Sequence, residues 1–191
     1  HKLNEFDTAD AANSQDEGRI VSEGHLLRIV SYLDGQEIVH GGKHDVSNKY
    51  IEPTIVLNPD HNSPLMQQEI FGPILPIVTV ANINQSISFV NQRAKPLALY
   101  LFGKNEDFEQ QVLTSTSAGM VCINDGFMFA ANPNLPFGGV GNSGTGAYHG
   151  KIGFDNFSHL KTVMKRSFWF DVPLRYPPFT AKKFKLLKKL I

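Results

Sequence analysis

The sequence predicts an α/β fold in which parallel β-strands alternate with α-helices. Three short apolar runs, at 74–80, 98–102 and 120–123, are typical of strands. The stretches between them carry apolar residues at helical spacing, and the connections are short. A strand–helix–strand order of this kind is a βαβ unit, which crosses right-handed into a parallel sheet.

The first part of the chain contributes one helix and two extended segments. Residues 1–21 are polar and aperiodic, which predicts a loop. A helix is predicted over 22–33, because Ser22 can cap its start and Asp-Gly ends it. Extended chain is predicted over 37–40 and 50–57. The helix carries an apolar stripe formed by Leu26, Ile29, Val30 and Leu33.

No metal site is predicted. His40 and His44 have the spacing of two ligands on one helical turn, but Gly41 and Gly42 between them would break a helix. The single cysteine, Cys122, excludes an internal disulfide and a cysteine-rich zinc site, and it fits a reducing compartment. Its apolar neighbours in the sequence predict that it packs within a strand.

The regular alternation continues after residue 73. A strand over 74–80 is followed by a helix over 84–92, a strand over 98–102, a helix capped by Asn105 and a strand over 120–123. Farther along, we expect a short helical turn at 154–158 and a strand at 160–164. Nothing in the sequence indicates an internal repeat or a low-complexity linker.

The stretch at 135–150 has the highest density of glycine in the sequence. It holds six of the 16 glycines, interleaved with side chains that can point into a cleft. This pattern predicts a tight loop that lines or closes a site, and the alternative is a flexible surface loop. Gly139 to Gly144 also satisfy G-x-G-x-x-G. Prolines precede the motif and further glycines follow it, which excludes the strand and helix of a dinucleotide-binding turn.

Charge is balanced overall but concentrated at the C-terminal end. The 18 basic residues equal the 18 acidic ones, yet nine basic residues follow Leu160. Five lysines there accompany apolar residues on one predicted helical face, which suits an anionic membrane surface. A solvated terminus is the alternative. No nucleic-acid partner is predicted, because the lysines lack interleaved base-stacking aromatics. The lysines are Lys182, Lys183, Lys185, Lys188 and Lys189, and the apolar residues are Phe184, Leu187 and Ile191.

Two stretches together resemble signatures of the aldehyde dehydrogenase superfamily. They are QEIFGPILP at 68–76 and LPFGGVGNSG at 135–144. The segment RYPP at 175–178 is similar to one that precedes a C-terminal membrane anchor in fatty aldehyde dehydrogenases. Three further stretches are similar to the class 3 and fatty aldehyde dehydrogenase branch: KPLALY at 95–100, GAYHGK at 146–151 and FDNFSH at 154–159.

The resemblance implies that the chain is the C-terminal portion of such an enzyme. The family's nucleophilic cysteine in Gly-Gln-x-Cys and its general base in Glu-Leu-Gly-Gly do not occur here. No catalytic residue is therefore assigned, and the chain alone is expected to be inactive. Residues 1–158 would complete the parallel-sheet catalytic domain, and 159–191 would form an oligomerisation strand and basic tail. The alternative is a truncated, non-catalytic module for membrane attachment or subunit pairing.

The resemblance also implies the site residues. Glu69 corresponds to a glutamate that accepts hydrogen bonds from the nicotinamide-ribose hydroxyls of NAD or NADP, and Phe71 to an aromatic beside the nicotinamide. Phe137 corresponds to the wall of the aldehyde pocket. Tyr148 and His149 share its loop, although His149 could be purely structural.

Phe127 is a further expected part of the substrate pocket. With Met128 and Phe129 it forms an apolar trio that could line an aldehyde tunnel or pack in the core. The implied function is oxidation of medium or long-chain aliphatic, or aromatic, aldehydes to carboxylic acids in fatty aldehyde metabolism. A homodimer is expected. The expected location is the cytoplasm, with the cytosolic face of the endoplasmic reticulum or another intracellular membrane as an alternative.

Overall fold

The computed structural model describes residues 11–14, 17–169 and 171–189. The predicted N-terminal loop is therefore described only in part, and Ile191 of the predicted amphipathic face lies outside these ranges. The helices within them are α1 Glu23–Ser31, α2 Pro64–Gln67, α3 Ile83–Asn91, α4 Glu106–Ser115, α5 Met128–Ala131, α6 Gly150–Asn156 and α7 Ala181–Leu187. The strands are β1 Ile38–His40, β2 His44–Asp45, β3 Tyr50–Ile51, β4 Thr54–Leu57, β5 Ile74–Ile77, β6 Ala98–Leu101 and β7 Met120–Ile123.

Helix α1 forms where the sequence predicts it. The Ser22 side chain accepts a hydrogen bond from the His25 backbone N–H at 3.2 Å, which satisfies a donor at the open end of the helix. Leu26 and Ile29 on its apolar stripe are completely buried. They pack into a core that is completed by Ile20, Tyr32, Leu33, Ile51, Val56, Leu65 and Ile74.

The predicted α/β class with parallel strand pairs is confirmed. Strand β4 pairs with β1 antiparallel and with β5 parallel, so it is the central strand of its sheet. β2 and β3 form a short antiparallel pair, and β6 and β7 form a parallel pair. The unit β6–α4–β7 is therefore the βαβ arrangement that the sequence predicts.

The preceding strand–helix–strand unit differs from the prediction. β5 hydrogen-bonds to β4 and not to β6, so β5 and β6 lie in separate sheets of the described chain. β5 also ends at Ile77 rather than residue 80. At Thr79 the backbone N–H donates to the Asn58 side chain, 2.8 Å away, instead of to a neighbouring strand.

Helix α4 shows how the β6–α4–β7 unit is held together. The Asn105 side chain accepts from the Phe108 N–H at 3.1 Å, which confirms the predicted cap. Val112 is the buried residue of the helix. Strand β7 then runs beside β6 with Ala98 opposite Met120 and Tyr100 opposite Cys122.

The predicted strand at 160–164 is not formed in this chain. Residues 159–167 carry no regular structure, and Leu160 is 89% exposed. A strand exists only with a hydrogen-bonding neighbour, and no other described segment pairs with these residues. The assignment of 159–191 to oligomerisation stays a prediction.

The C-terminal helix is present. Thr180 caps α7 by accepting from the Lys183 N–H at 3.3 Å, and the Lys183 ammonium reaches back to the carbonyl of Tyr176 at 2.9 Å. The predicted turn at 154–158 is also present as α6, which begins earlier, at Gly150. No helix in the described ranges has the length and apolar character required to cross a bilayer.

Candidate functional site

The loop at 68–73, called the Glu69 loop here, lies between α2 and β5 and is held by one face of α1. The guanidinium of Arg28 donates to two successive backbone carbonyls, from Nη1 to Glu69 O at 3.2 Å and from Nη2 to Ile70 O at 3.1 Å. The ring nitrogen Nε2 of His25 lies 2.9 Å from the next carbonyl, that of Phe71. Three consecutive carbonyls are thereby bound to two side chains of α1.

Tyr32 fixes the start of the same loop. Its hydroxyl donates to the side-chain oxygen of Gln68 at 2.7 Å and accepts a hydrogen bond from Arg28 Nη1. The Arg28 guanidinium also lies 5.2 Å from the centroid of the Tyr32 ring, a cation–π distance.

The backbone of the Glu69 loop has one strained residue and one closely packed glycine. Phe71 has φ +53°, a left-handed conformation that costs a residue with a Cβ of order 1 kcal/mol or more. A Cβ on Gly72 would lie 2.7 Å from Ile29 Cδ1, so a side chain here would collide with the buried stripe of α1. The sequence Phe-Gly therefore matches a turn pressed directly against the helix.

The two predicted cofactor residues both face outward from this loop. Glu69 is exposed, and Phe71 is 75% exposed although its backbone is fixed. The Phe71 ring meets His25 edge-on at 6.3 Å. The structure thus presents a carboxylate and an aromatic ring, two residues apart, on a tethered backbone.

The glycine-rich stretch is a tightly packed loop rather than a flexible one. Phe137 and Tyr148 exchange two backbone hydrogen bonds of 2.9 Å, which close the loop. A Cβ on Gly138 would lie 2.1 Å from the carbonyl oxygen of Gly146, and one on Gly139 would lie 2.1 Å from that of Ser143. Residues Gly141–Ser143 form a 3₁₀ turn, not a helix, in agreement with the rejection of a dinucleotide-binding turn.

Three of the predicted pocket residues lie together on this loop. The rings of Phe137 and Tyr148 are 5.4 Å apart, and the His149 ring lies 4.5 Å from Tyr148 and 5.8 Å from Phe137. His149 Nδ1 is 3.2 Å from the carbonyl oxygen of Leu135. Because a carbonyl only accepts, Nδ1 carries the hydrogen of this bond. His149 therefore helps to hold the loop, and its part in a substrate pocket stays a prediction.

Phe127 lies apart from these three rings. It precedes α5 in the left-handed region, with φ +64°, and is 70% exposed. No ring contact joins it to Phe137, Tyr148 or His149 in the part of the chain that the structure describes. Core packing, the alternative for the apolar trio, applies only to Phe129, which is half-buried and stacks on Tyr100 at 5.6 Å.

Neither the cysteine nor the histidines form a metal centre in the described residues. Cys122 is half-buried in β7. His40 and His44 lie on different strands, β1 and β2. Over 11–14, 17–169 and 171–189 there is no group of three or more His, Cys, Asp or Glu side chains that could hold a metal ion.

A second polar cluster precedes the basic helix. Asp171 accepts from the Tyr176 hydroxyl at 2.8 Å and forms an ion pair with Arg166 at 2.9 Å. The Tyr176 hydrogen bond, followed by Arg166, holds the pKa of Asp171 below its ordinary value.

A cavity of about 430 Å³ lies against α7. Its lining is Leu174, Thr180, Lys182, Lys183, Lys185, Leu186 and Lys189.

Sequence reasoning missed the residues that hold the Glu69 loop. His25, Arg28 and Tyr32 occur at positions i, i+3 and i+7, which is the spacing of one helical face. These three residues lie beside the buried apolar stripe of α1. The available signal in the sequence was therefore a row of polar side chains at helical spacing next to that stripe. Their partners are backbone carbonyls of a distant loop, and no residue pattern identifies those.

The geometry describes an α/β protein with two preformed loops, one with an exposed carboxylate and an exposed aromatic ring and one closed by packed glycines. The sequence model of the Aldehyde dehydrogenase family matches residues 3–163. The chain belongs to the aldehyde dehydrogenase family.

Individual relatives agree with this assignment. The chain is 47% identical over 182 residues to a "dimeric NADP-preferring" aldehyde dehydrogenase of Rattus norvegicus, covering 94% of this chain and 40% of that protein. It is 44% identical to aldehyde dehydrogenase family 3 member H1 of Arabidopsis thaliana, covering 100% of this chain and 40% of the relative. The chain thus spans about 40% of the length of these curated relatives.

Solved structures show the same fold. A substrate-bound Staphylococcus aureus AldH superposes with a TM-score of 0.87 at 44% identity, over 99% of this chain and 42% of that one. A succinic semialdehyde dehydrogenase from Streptococcus pyogenes, in complex with NADP⁺, superposes with a TM-score of 0.65 at 29% identity, over 73% of this chain and 31% of that one.

Proposed function

We propose that the protein containing this chain oxidises aldehydes to carboxylic acids with NAD or NADP. The Glu69 loop is the observation that carries this proposal, because its backbone is fixed while its two functional side chains are exposed. Membership of the aldehyde dehydrogenase family supports the reaction, and two relatives are named for NADP.

Glu69 and Phe71 suit the nicotinamide end of such a cofactor. A carboxylate accepts two hydrogen bonds at once, so it can bind both hydroxyls of a ribose. An exposed aromatic ring two residues away can pack beside a flat ring. A bound NAD or NADP would supply the hydride-accepting ring, and Glu69 and Phe71 would hold that ring at the required distance and angle.

The glycine-rich loop supplies an aromatic wall suited to an apolar aldehyde. The rings of Phe137 and Tyr148 contact each other in a tilted arrangement, and a hydrogen bond from His149 to Leu135 helps to hold their loop. Medium or long-chain aliphatic and aromatic aldehydes are the proposed substrates, with Phe127 as a more distant part of the pocket. A substitution such as Phe137→Ala should raise KM for these substrates more than for a short aldehyde.

A direct test uses the intact enzyme with hexanal, hexadecanal and benzaldehyde as substrates and NAD(P)H formation as the readout. Glu69→Gln should slow hydride transfer about tenfold or more and change cofactor affinity less, since ring positioning affects the chemical step. Single-turnover kinetics with a deuterated aldehyde measure that step, and Glu37→Gln, at another exposed glutamate, is the matched control. An unchanged hydride step with only a raised KM for cofactor would remove Glu69 from this role.

The 191-residue chain alone is proposed to be inactive, since the motifs of the family's nucleophile and base are absent from it. Aldehyde-dependent NAD(P)H formation by the chain that is abolished by Cys122→Ser would contradict this.

We also propose that the protein forms homodimers in the cytoplasm and that its basic end contacts an anionic intracellular membrane. The name of the dimeric relative and the apolar exposure of 157–169, where Phe157 is 88% exposed, support self-association. The lysines of α7 and of the two residues after it support the membrane contact. Light scattering of the intact protein tests the dimer.

A further inference from the structure

The carbonyls of the Glu69 loop are bound to α1 in a defined donor–acceptor chain. Arginine has only donors, so Arg28 Nη2, 3.0 Å from His25 Nδ1, must donate to that nitrogen. Nδ1 is then an acceptor, and the hydrogen of the His25 ring is on Nε2. Nε2–H in turn donates to the Phe71 carbonyl at 2.9 Å. Arg28 therefore selects the tautomer with which His25 binds the loop.

These hydrogen bonds hold Phe71 in its strained left-handed conformation. A non-glycine residue stays in the left-handed region only where surrounding contacts hold it there. Bonds to the carbonyls of Glu69, Ile70 and Phe71 hold the peptide planes on both sides of that residue. The helix that provides them is anchored by the fully buried Leu26 and Ile29, so the donors cannot follow a relaxing loop.

We infer that His25 and Arg28 are positioning residues for hydride transfer, acting through the backbone of the Glu69 loop. This rests on the proposed cofactor role of Glu69 and Phe71. Without the donors, the strained Phe71 relaxes toward negative φ, and both side chains turn away from the positions in which they hold the acceptor ring. Misplacement on the scale of 1 Å can cost about a hundredfold in rate, so the chemical step is more sensitive than binding.

The test compares substitutions in the intact enzyme that retain different hydrogen bonds to the Glu69 loop. His25→Leu removes the donor to Phe71, whereas His25→Gln offers an amide N–H to that carbonyl and an amide oxygen to Arg28. Arg28→Leu removes all the guanidinium donors, and Arg28→Lys keeps the charge but not the paired geometry of those donors. Leu27→Ala, at a half-exposed position of the same helix, is the control.

We expect His25→Leu and Arg28→Lys to lower the single-turnover hydride rate about ten- to a hundredfold, with a larger deuterium isotope effect on kcat and a change of less than about threefold in cofactor Kd. His25→Gln should recover most of the rate lost in His25→Leu. If Arg28→Leu does not fold, the histidine pair and Arg28→Lys still decide the matter. A merely structural role would lower the melting temperature without changing the isotope effect, and that result would overturn the inference.

The double variant Glu69→Gln/His25→Leu separates this inference from the proposed function. The losses should be less than additive if both residues act on the same positioning. If Glu69→Gln and Phe71→Ala alone leave hydride transfer unchanged, the proposed cofactor role fails. If these two slow it and the His25 and Arg28 variants do not, only the positioning role fails.

Discussion

Gly138 shows how closely the backbone of the glycine-rich loop is packed against itself. The site of its missing Cβ lies 2.1 Å from a backbone oxygen, that of Gly146, which cannot move aside as the end of a flexible side chain can. Absence of a side chain, rather than conformational freedom, is what this position requires.

Gly138→Ala should therefore destabilise the protein by roughly 2 kcal/mol or more, in the range of substitutions that overpack a folded site. Gly126→Ala is the matched control, because a Cβ on Gly126 meets nothing within 4 Å. Urea unfolding of both variants measures the difference. Equal free energies of unfolding would mean that the loop is loose in solution.

Asp171 is a residue whose ionisation should depend on its neighbours. Its pKa lies below the ordinary value because of the Tyr176 hydroxyl first and Arg166 after it. A depressed pKa means that the ionised form stabilises the local structure. That stabilisation is present above the ordinary aspartate pKa and is lost as the pH falls through the lowered one.

Tyr176→Phe and Arg166→Gln should each raise the pKa of Asp171, because each removes a partner that lowers it. Carboxyl ¹³C NMR titration measures this. Asp45 is the internal control, since its pKa is also lowered but by Ser47 and Asn48, and it should stay low in both variants. An unchanged pKa of Asp171 in either variant would show that the removed partner does not act on this carboxylate.

At the scale of elements, the helix caps connect sequence to structure most directly. Asn105 begins α4, and its side chain binds the Phe108 N–H, one of the donors that the first turn leaves unpaired. Because α4 joins the parallel strands β6 and β7, its stability bears on the whole βαβ unit.

Asn105→Ala should cost about 1 kcal/mol, whereas Asn105→Ser should retain most of the stability because the hydroxyl can still cap. Chemical denaturation monitored by far-UV circular dichroism distinguishes them. Equal loss in both variants would show that the asparagine contributes something other than a cap.

Elements were predictable from the sequence where the determining contacts are local. Ser22 and Asn105 cap helices as predicted, and β7 has the predicted bounds. The predictions failed where a distant partner decides. β5 pairs with β4 instead of β6, and 160–164 has no neighbour to make it a strand.

The candidate site follows the same division. Glu69, Phe71 and Phe137 were identified by resemblance of their motifs, and the packing of the glycine-rich loop followed from composition. The hydrogen bonds from His25 and Arg28 cross more than 40 positions of sequence and end on backbone carbonyls. Every residue type has a carbonyl, so these bonds leave no trace in composition or spacing.

For the molecule as a whole, burial is distributed unevenly along the chain. The core cluster extends from Ile20 to Ile74 and lies around α1 and the β1–β4–β5 sheet. In contrast, the helices α5, α6 and α7 have no buried residue among those described. Local contacts help to hold the C-terminal part, such as the hydrogen bonds from Lys183 to the carbonyls of Pro173 and Tyr176.

Because α7 has no buried residue among those described, its exposed side chains support the proposed contact of the basic end with a membrane. Lys182, Lys185 and Lys188 are exposed on or next to α7, and Phe184 on the same helix is 61% exposed. Near an anionic surface each lysine contributes about 1 kcal/mol, within a Debye length of roughly 10 Å at 0.1 M salt. Burial of Phe184 would add a hydrophobic contribution, so binding should be measurable, sensitive to salt and reversible.

Co-sedimentation with vesicles of neutral or anionic lipid, at low and high salt, tests this for the chain with and without residues 180–191. Binding should require anionic lipid, fall at high salt and disappear with the deletion. Because removing the helix also removes its contacts with Pro173 and Tyr176, the variant Lys182→Gln/Lys185→Gln/Lys188→Gln is the finer probe: it keeps Lys183 and the helix but loses three exposed charges. Equal sedimentation of this variant, or binding indifferent to lipid charge, would mean that the lysines only solvate the terminus.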